Sequence, residues 1–108
     1  MPHATLSYSS DLQLDAGAML RDIEETILAH DAGAGACKGR AYPASVFHHS
    51  HIMIDIALLD KPHRDAAFMA ALARDLEARI KVHLLSPCAF SMEVRFSGSQ
   101  YVTNMHQA

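Results

Sequence analysis

At 108 residues the chain has room for one hydrophobic core and not for two. Half of the residues are apolar and 19% are charged, a globular composition that excludes a fibrous or disordered protein. The formal charge of −3 is small and the basic residues are scattered, which argues against nucleic acid as a partner. No apolar run approaches the roughly 20 residues of a membrane span, and the first residues lack the pattern of a secretory signal, so no membrane partner and a cytoplasmic location are expected.

Residues 2–8 alternate, with Ala4, Leu6 and Tyr8 on one face and His3, Thr5 and Ser7 on the other, which is the period of a half-buried strand. After a polar break, Asp15 is placed to cap a helix in which Met19, Leu20, Ile23, Ile27 and Leu28 recur at three- and four-residue spacing. That helix is expected to stop near Asp31, with the glycines of Ala32-Gly33-Ala34-Gly35-Ala36 supplying the cap and a flexible connection. Residues 37–47 read as a strand at an edge or with a bulge, because Gly39 and Pro43 interrupt it.

Residues 51–59 give the cleanest strand pattern, with Ile52, Ile54, Ile56 and Leu58 on one face and Met53, Asp55 and Ala57 on the other. Asp65 then caps a second helix on which Phe68, Leu72, Leu76 and Ile80 form one stripe, and Ser86-Pro87 closes the helical region. Residues 89–96 alternate again, with Phe90, Met92, Val94 and Phe96 on one side and Ser91, Glu93 and Arg95 on the other. Gly98 breaks this strand, and within the C-terminal tail of residues 97–108 the stretch from Tyr101 to Ala108 has weak periodicity and is expected to pack across a neighbouring surface or fray.

The chain is therefore expected to form a single α+β domain of the α/β-sandwich type, built from unit one over residues 2–47 and unit two over residues 51–96. Two β-α-β units with right-handed crossovers make one four-stranded sheet with two helices on one face. The other face is left open. If it is as apolar as Met53, Ala57 and Leu59 suggest, other subunits are needed to cover it.

Few side chains suggest chemistry by themselves. Cys37 and Cys88 form neither a CxxC pair nor a disulfide framework and are expected to be free thiols. His48, His49 and His51 invite a metal reading, since His49 and His51 share a face on a strand, but the local pattern lacks a third ligand; a polar hairpin is the simpler reading, and no metal site is assigned. There is no nucleophile elbow of the hydrolase kind. Tyr42 and Phe47 are candidates for an apolar pocket wall, and His3 for an orienting or structural role. Pro2 stands apart: trimming of Met1 would leave it a free secondary amine at the head of a strand. An α-amino group has a reference pKa of about 8, and desolvation or nearby positive charge lowers it towards neutrality, the range of an effective general base.

Met1-Pro2-His3 on a strand, two β-α-β units, an arginine in the first connection and another before the second helix together resemble the tautomerase superfamily. Within it, the chain is most similar to the 5-carboxymethyl-2-hydroxymuconate delta-isomerase family, whose members also begin Pro-His after the methionine. The resemblance covers about residues 2–96 and implies the tautomerase fold. It further implies a homotrimer and a cofactor-independent reaction in which Pro2 shuttles a proton on a small unsaturated keto or enol carboxylic acid, in the breakdown of aromatic compounds. By the same resemblance, Arg64, in Lys61-Pro62-His63-Arg64-Asp65, is a substrate-binding arginine. Arg40, in Lys38-Gly39-Arg40-Ala41, matches the family's other arginine, with Lys38 competing for that role. One departure is a shorter segment between Arg40 and the strand at residue 51. The rival readings are a non-catalytic trimeric binding or structural module on the same scaffold and a histidine-rich metal-binding module.

Overall fold

A computed structural model describes residues 1–108. The elements follow in the order β1 (His3–Ser9), α1 (Ala16–His30), a 3-10 turn (Ala32–Ala34), β2 (Lys38–Ala44), β3 (His51–Leu58), α2 (Ala66–Lys81) and β4 (Ala89–Phe96). The four strands form one sheet in the order β2-β1-β3-β4. Pairing is parallel within each β-α-β unit, β1 with β2 and β3 with β4, and antiparallel where the units meet, β1 with β3.

The alternation in the strands decides which face the helices cover. Ala4, Leu6, Ile52, Ile54, Ile56 and Leu58 are buried against Met19, Ile23 and Ile27 of α1 and Leu72, Leu76 and Ile80 of α2. Both helices therefore lie on one side of the sheet, as the sequence pattern requires. Phe90, Met92 and Val94 join this core from β4, partly buried because an edge strand has less helix above it.

Both helices begin as expected. The Asp15 carboxylate accepts from the Ala18 N–H at 3.0 Å and that of Asp65 from the Phe68 N–H at 2.8 Å, each satisfying a donor the helix itself leaves free. The end of α1 differs from the expectation of a glycine cap. Asp31 closes it, its N–H donating to the Ile27 carbonyl at 2.9 Å while its side chain accepts from Gly33 at 3.1 Å and starts the 3-10 turn. The left-handed glycine comes later, at Gly35 with φ of 79°, where the chain turns towards β2. Helix α2 stops at Lys81, several residues before the expected break at Ser86-Pro87.

The open face also departs from expectation. Leu59 lies outside β3, and of the apolar residues named for that face only Met53 and Ala57 remain. Between and beside them stand Thr5, Ser7, Asp55, Ser91, Glu93 and Arg95, so the uncovered side of the sheet is largely polar. No helix is long and apolar enough to cross a membrane.

Candidate functional site

Strand register sets two rows of side chains across the open face. Lys38, His3, Ala57 and Arg95 are successive partners in one row; Arg40, Thr5, Asp55 and Glu93 make the next. Small side chains at the middle of each row, Ala57 and Thr5, leave a depression between longer ones. The result is a pocket of about 290 Å³ lined by His3, Thr5, Arg40, Asp55, Ala57, Arg95, Ser97, Gly98 and Tyr101.

Its last wall comes from the tail. Ser97 N–H donates to the Leu58 carbonyl at 2.7 Å, and the Tyr101 N–H donates to the Gly98 carbonyl at 3.1 Å, folding the chain back over the sheet. The Tyr101 ring meets His3 edge-on, with centroids 6.2 Å apart and planes at 82°. Its hydroxyl donates to the Met1 carbonyl at 3.3 Å. The tail as far as Tyr101 is thus part of the site, whereas residues 102–108 are exposed.

Pro2 is buried at the head of β1, next to the pocket-lining His3, and its carbonyl accepts from Lys38 at 2.9 Å. The Met1 carbonyl beside its nitrogen is the group that Tyr101 holds. The N-terminal segment therefore sits at the rim of this pocket.

Three arginines compete for the role of anion holder, and their environments separate them. Arg95 is gripped in both directions by Asp55, Nε to Oδ1 at 2.8 Å and Nη2 to Oδ2 at 2.9 Å. These hydrogen bonds hold the Asp55 carboxyl below its usual range. Arg40 has no carboxylate partner; its Nη1 donates to His3 Nδ1 at 3.4 Å, and the remaining donors of the fork are free. Burial, followed in importance by Arg40, the N-terminal amine and Lys38, pushes the His3 imidazole below its ordinary value of 6.5.

Arg64 lies elsewhere. It is 4% exposed at the β3–α2 connection, donating through Nε and Nη2 to Asp31 Oδ2 at 3.1 and 2.8 Å and through Nη1 to the Leu59 carbonyl at 2.8 Å. His63 reaches the same Asp31 oxygen at 2.7 Å. The hydrogen bond from His63, then those from Arg64, lower the Asp31 carboxyl to about 2. A cation before a helix N-terminus opposes the helix dipole, and Asp31 supplies its counter-charge from the end of α1. The arginine expected from sequence to face a substrate is, in this chain, turned inward.

The remaining sequence candidates do not gather here. Tyr42 and Phe47 are exposed and outside the pocket. His48 and His49 lie in the bend before β3, their ring centroids 4.0 Å apart, with His49 at φ of 64° and its carbonyl 2.8 Å from His51 Nδ1. They are at the start of β3, and His3 pairs with Ala57 near its far end. Cys37 and Cys88 are free, and burial pushes the Cys37 thiol up to about 11, which keeps it protonated and unreactive. Sequence reasoning missed Asp55, Arg95 and Tyr101. The first two were visible as charges on the open side of adjacent strands; nothing in the tail's pattern pointed to Tyr101.

No protein-family model and no curated protein matches the sequence. Similarity appears at the level of structure. The chain is similar to a 5-carboxymethyl-2-hydroxymuconate delta-isomerase at 17% identity and a TM-score of 0.81, covering 98% of this chain and 89% of that one. It is similar to a 5-carboxymethyl-2-hydroxymuconate isomerase from Deinococcus radiodurans at 18% identity and a TM-score of 0.76, covering 98% and 90%. It is also similar to a macrophage migration inhibitory factor-like protein from Entamoeba histolytica at 12% identity and a TM-score of 0.66, covering 97% and 96%. The fold is that of the tautomerases, α+β with two helices on one face of a mixed four-stranded sheet.

Proposed function

We propose that this protein is a cofactor-independent isomerase of small unsaturated keto or enol carboxylic acids, with Pro2 as the proton carrier once Met1 is removed. The observation that supports this reading is a pocket lined by His3, the residue after Pro2, in which Arg40 is the arginine without a carboxylate partner. Two of the structural neighbours are named as isomerases of an acid of this kind, which supports the substrate class; a place in aromatic catabolism is proposed from the resemblance alone.

Loss of Met1 turns the Pro2 tertiary amide into a secondary amine with a lone pair. In this reading the neutral form of that amine is the base. Arg40 takes the substrate carboxylate with its free donors. Pro2 nitrogen accepts a proton from carbon, the electron pair moves through the conjugated system to the carbonyl oxygen, and the same proton returns from the ammonium to a different carbon or to the oxygen. Nothing is consumed, and the amine is restored. Arg64 serves from behind, fixing the β3–α2 connection at the end of the sheet where β1 begins.

Three copies are proposed to associate, as the resemblance implies. The test is a ketonisation assay on simple enols with protein whose N-terminus is verified by mass. Wild-type protein beginning at Pro2 is expected to turn over the carboxylated substrate, and Pro2→Ala and protein retaining Met1 are expected to be nearly inactive. Full turnover in Pro2→Ala would sink the mechanism, and no turnover in correctly trimmed wild type would leave the non-catalytic module.

A further inference from the structure

His3 lines the pocket, and its ring is held on two sides. An arginine has only donors, so the contact between Arg40 Nη1 and His3 Nδ1 at 3.4 Å makes Nδ1 the acceptor. A neutral imidazole that accepts at Nδ1 carries its proton at Nε2. Tyr101 presses edge-on against the same ring from the tail, and Nε2 has no partner within the chain. The groups around it are Lys38 and Arg40 on β2, the N-terminal amine, Asp55 on β3 and Arg95 on β4. Asp55 is bound at both oxygens by Arg95, which leaves no nearby carboxylate free to favour an imidazolium.

We infer that His3 is a catalytic residue for the proposed reaction: a neutral imidazole, fixed by Arg40 in the Nε2–H form, that donates a hydrogen bond to the carbonyl oxygen of the substrate as negative charge gathers there. The inference rests on the isomerase reading and deepens it by naming the electrophile that the base requires. No proton is transferred to or from His3. As Pro2 removes the carbon-bound proton, the electron pair shifts to oxygen and the hydrogen bond from Nε2–H to that oxygen shortens; as the proton is returned to carbon, the carbonyl reforms and the hydrogen bond relaxes. A preorganised donor placed where charge develops stabilises the transition state more than the ground state. A neutral donor suits this task, since it has no proton to surrender at pH 7 and does not compete with Pro2 for one. Arg40 thereby acts twice, holding the carboxylate and setting the histidine tautomer.

Nitrogen-15 NMR of ring-labelled wild type, trimmed to Pro2, provides a readout apart from activity. The expected result is a single neutral His3 ring in the Nε2–H form above pH 7, relaxing to a mixture of tautomers in Arg40→Ala. A proton found on Nδ1, or an imidazolium at pH 7, would overturn the proposal. Kinetics supply the second arm. His3→Ala is expected to lower kcat by roughly 100-fold with KM little changed, and His3→Gln, which keeps an N–H donor, to recover part of that loss. A kcat for His3→Ala equal to wild type, in a background where Pro2→Ala is inactive, overturns the role of His3 and leaves the isomerase reading standing. Full activity in Pro2→Ala would instead remove the reading on which both rest.

Discussion

Arg40, Arg95 and Arg64 show how little an arginine's position in sequence says about its work. Arg64 is attractive in sequence because a cation before a helix is electrostatically out of place, and its resolution is a buried partner from a different element. Removing that partner is therefore costly: Asp31→Asn leaves a guanidinium with 2% of its side chain exposed and no counter-charge. It is expected to destabilise the fold by on the order of 3 kcal/mol, seen as a fall of roughly 10–20 °C in Tm. The same group sets a pH dependence. Because the folded carboxyl lies at about 2, below its ordinary 3.8, its contribution is complete above 3.8 and is lost as the pH falls through about 2. Thermal melts of wild type and Asp31→Asn across this window should converge at the acid end. At Arg40, by contrast, no fold-stabilising ion pair is lost on substitution. Arg40→Ala is expected to melt close to wild type while kcat/KM for a carboxylated enol falls by roughly 10- to 100-fold, the worth of one charge-assisted contact.

The elements themselves were readable wherever a short-range rule acts alone. Alternation identified β1, β3 and β4 and assigned their faces correctly; three- and four-residue spacing identified both helices; and Asp15 and Asp65 cap as their positions require. Each cap can be checked singly, Asp65→Ala lowering stability by about 1 kcal/mol in denaturant unfolding. What was not readable depends on approach between distant segments. Gly39 in β2 is an example, because a Cβ there would stand 2.7 Å from Leu20 Cδ2 on α1. The near atom is the end of a flexible side chain, so Gly39→Ala is expected to cost about 1 kcal/mol, with Gly39→Val costing more as Leu20 runs out of room. The site was illegible for the same reason. Arg40 was found from a motif, but its isolation from carboxylates follows from strand order, which pairs Asp55 diagonally with Arg95 instead. Tyr101 belongs to the pocket only because the chain doubles back at Gly98, a contact with no periodic signature.

For the whole molecule, the sheet has one covered face and one polar face bearing a pocket open to solvent. The proposed trimer places neighbouring copies around such faces, and native mass spectrometry is expected to show a species of three 11.8 kDa chains. A monomer at micromolar concentration would remove that part of the proposal. Within the chain, the edge-on contact between His3 and Tyr101 joins the first strand to the segment beyond the last, and the pocket takes walls from both regions. During synthesis, β1, β2 and β3 leave the ribosome and can pair long before Tyr101 is made, so a nascent or truncated chain that has its core still lacks a finished site. The pocket's final wall is thus made only after every strand of the sheet has been synthesised.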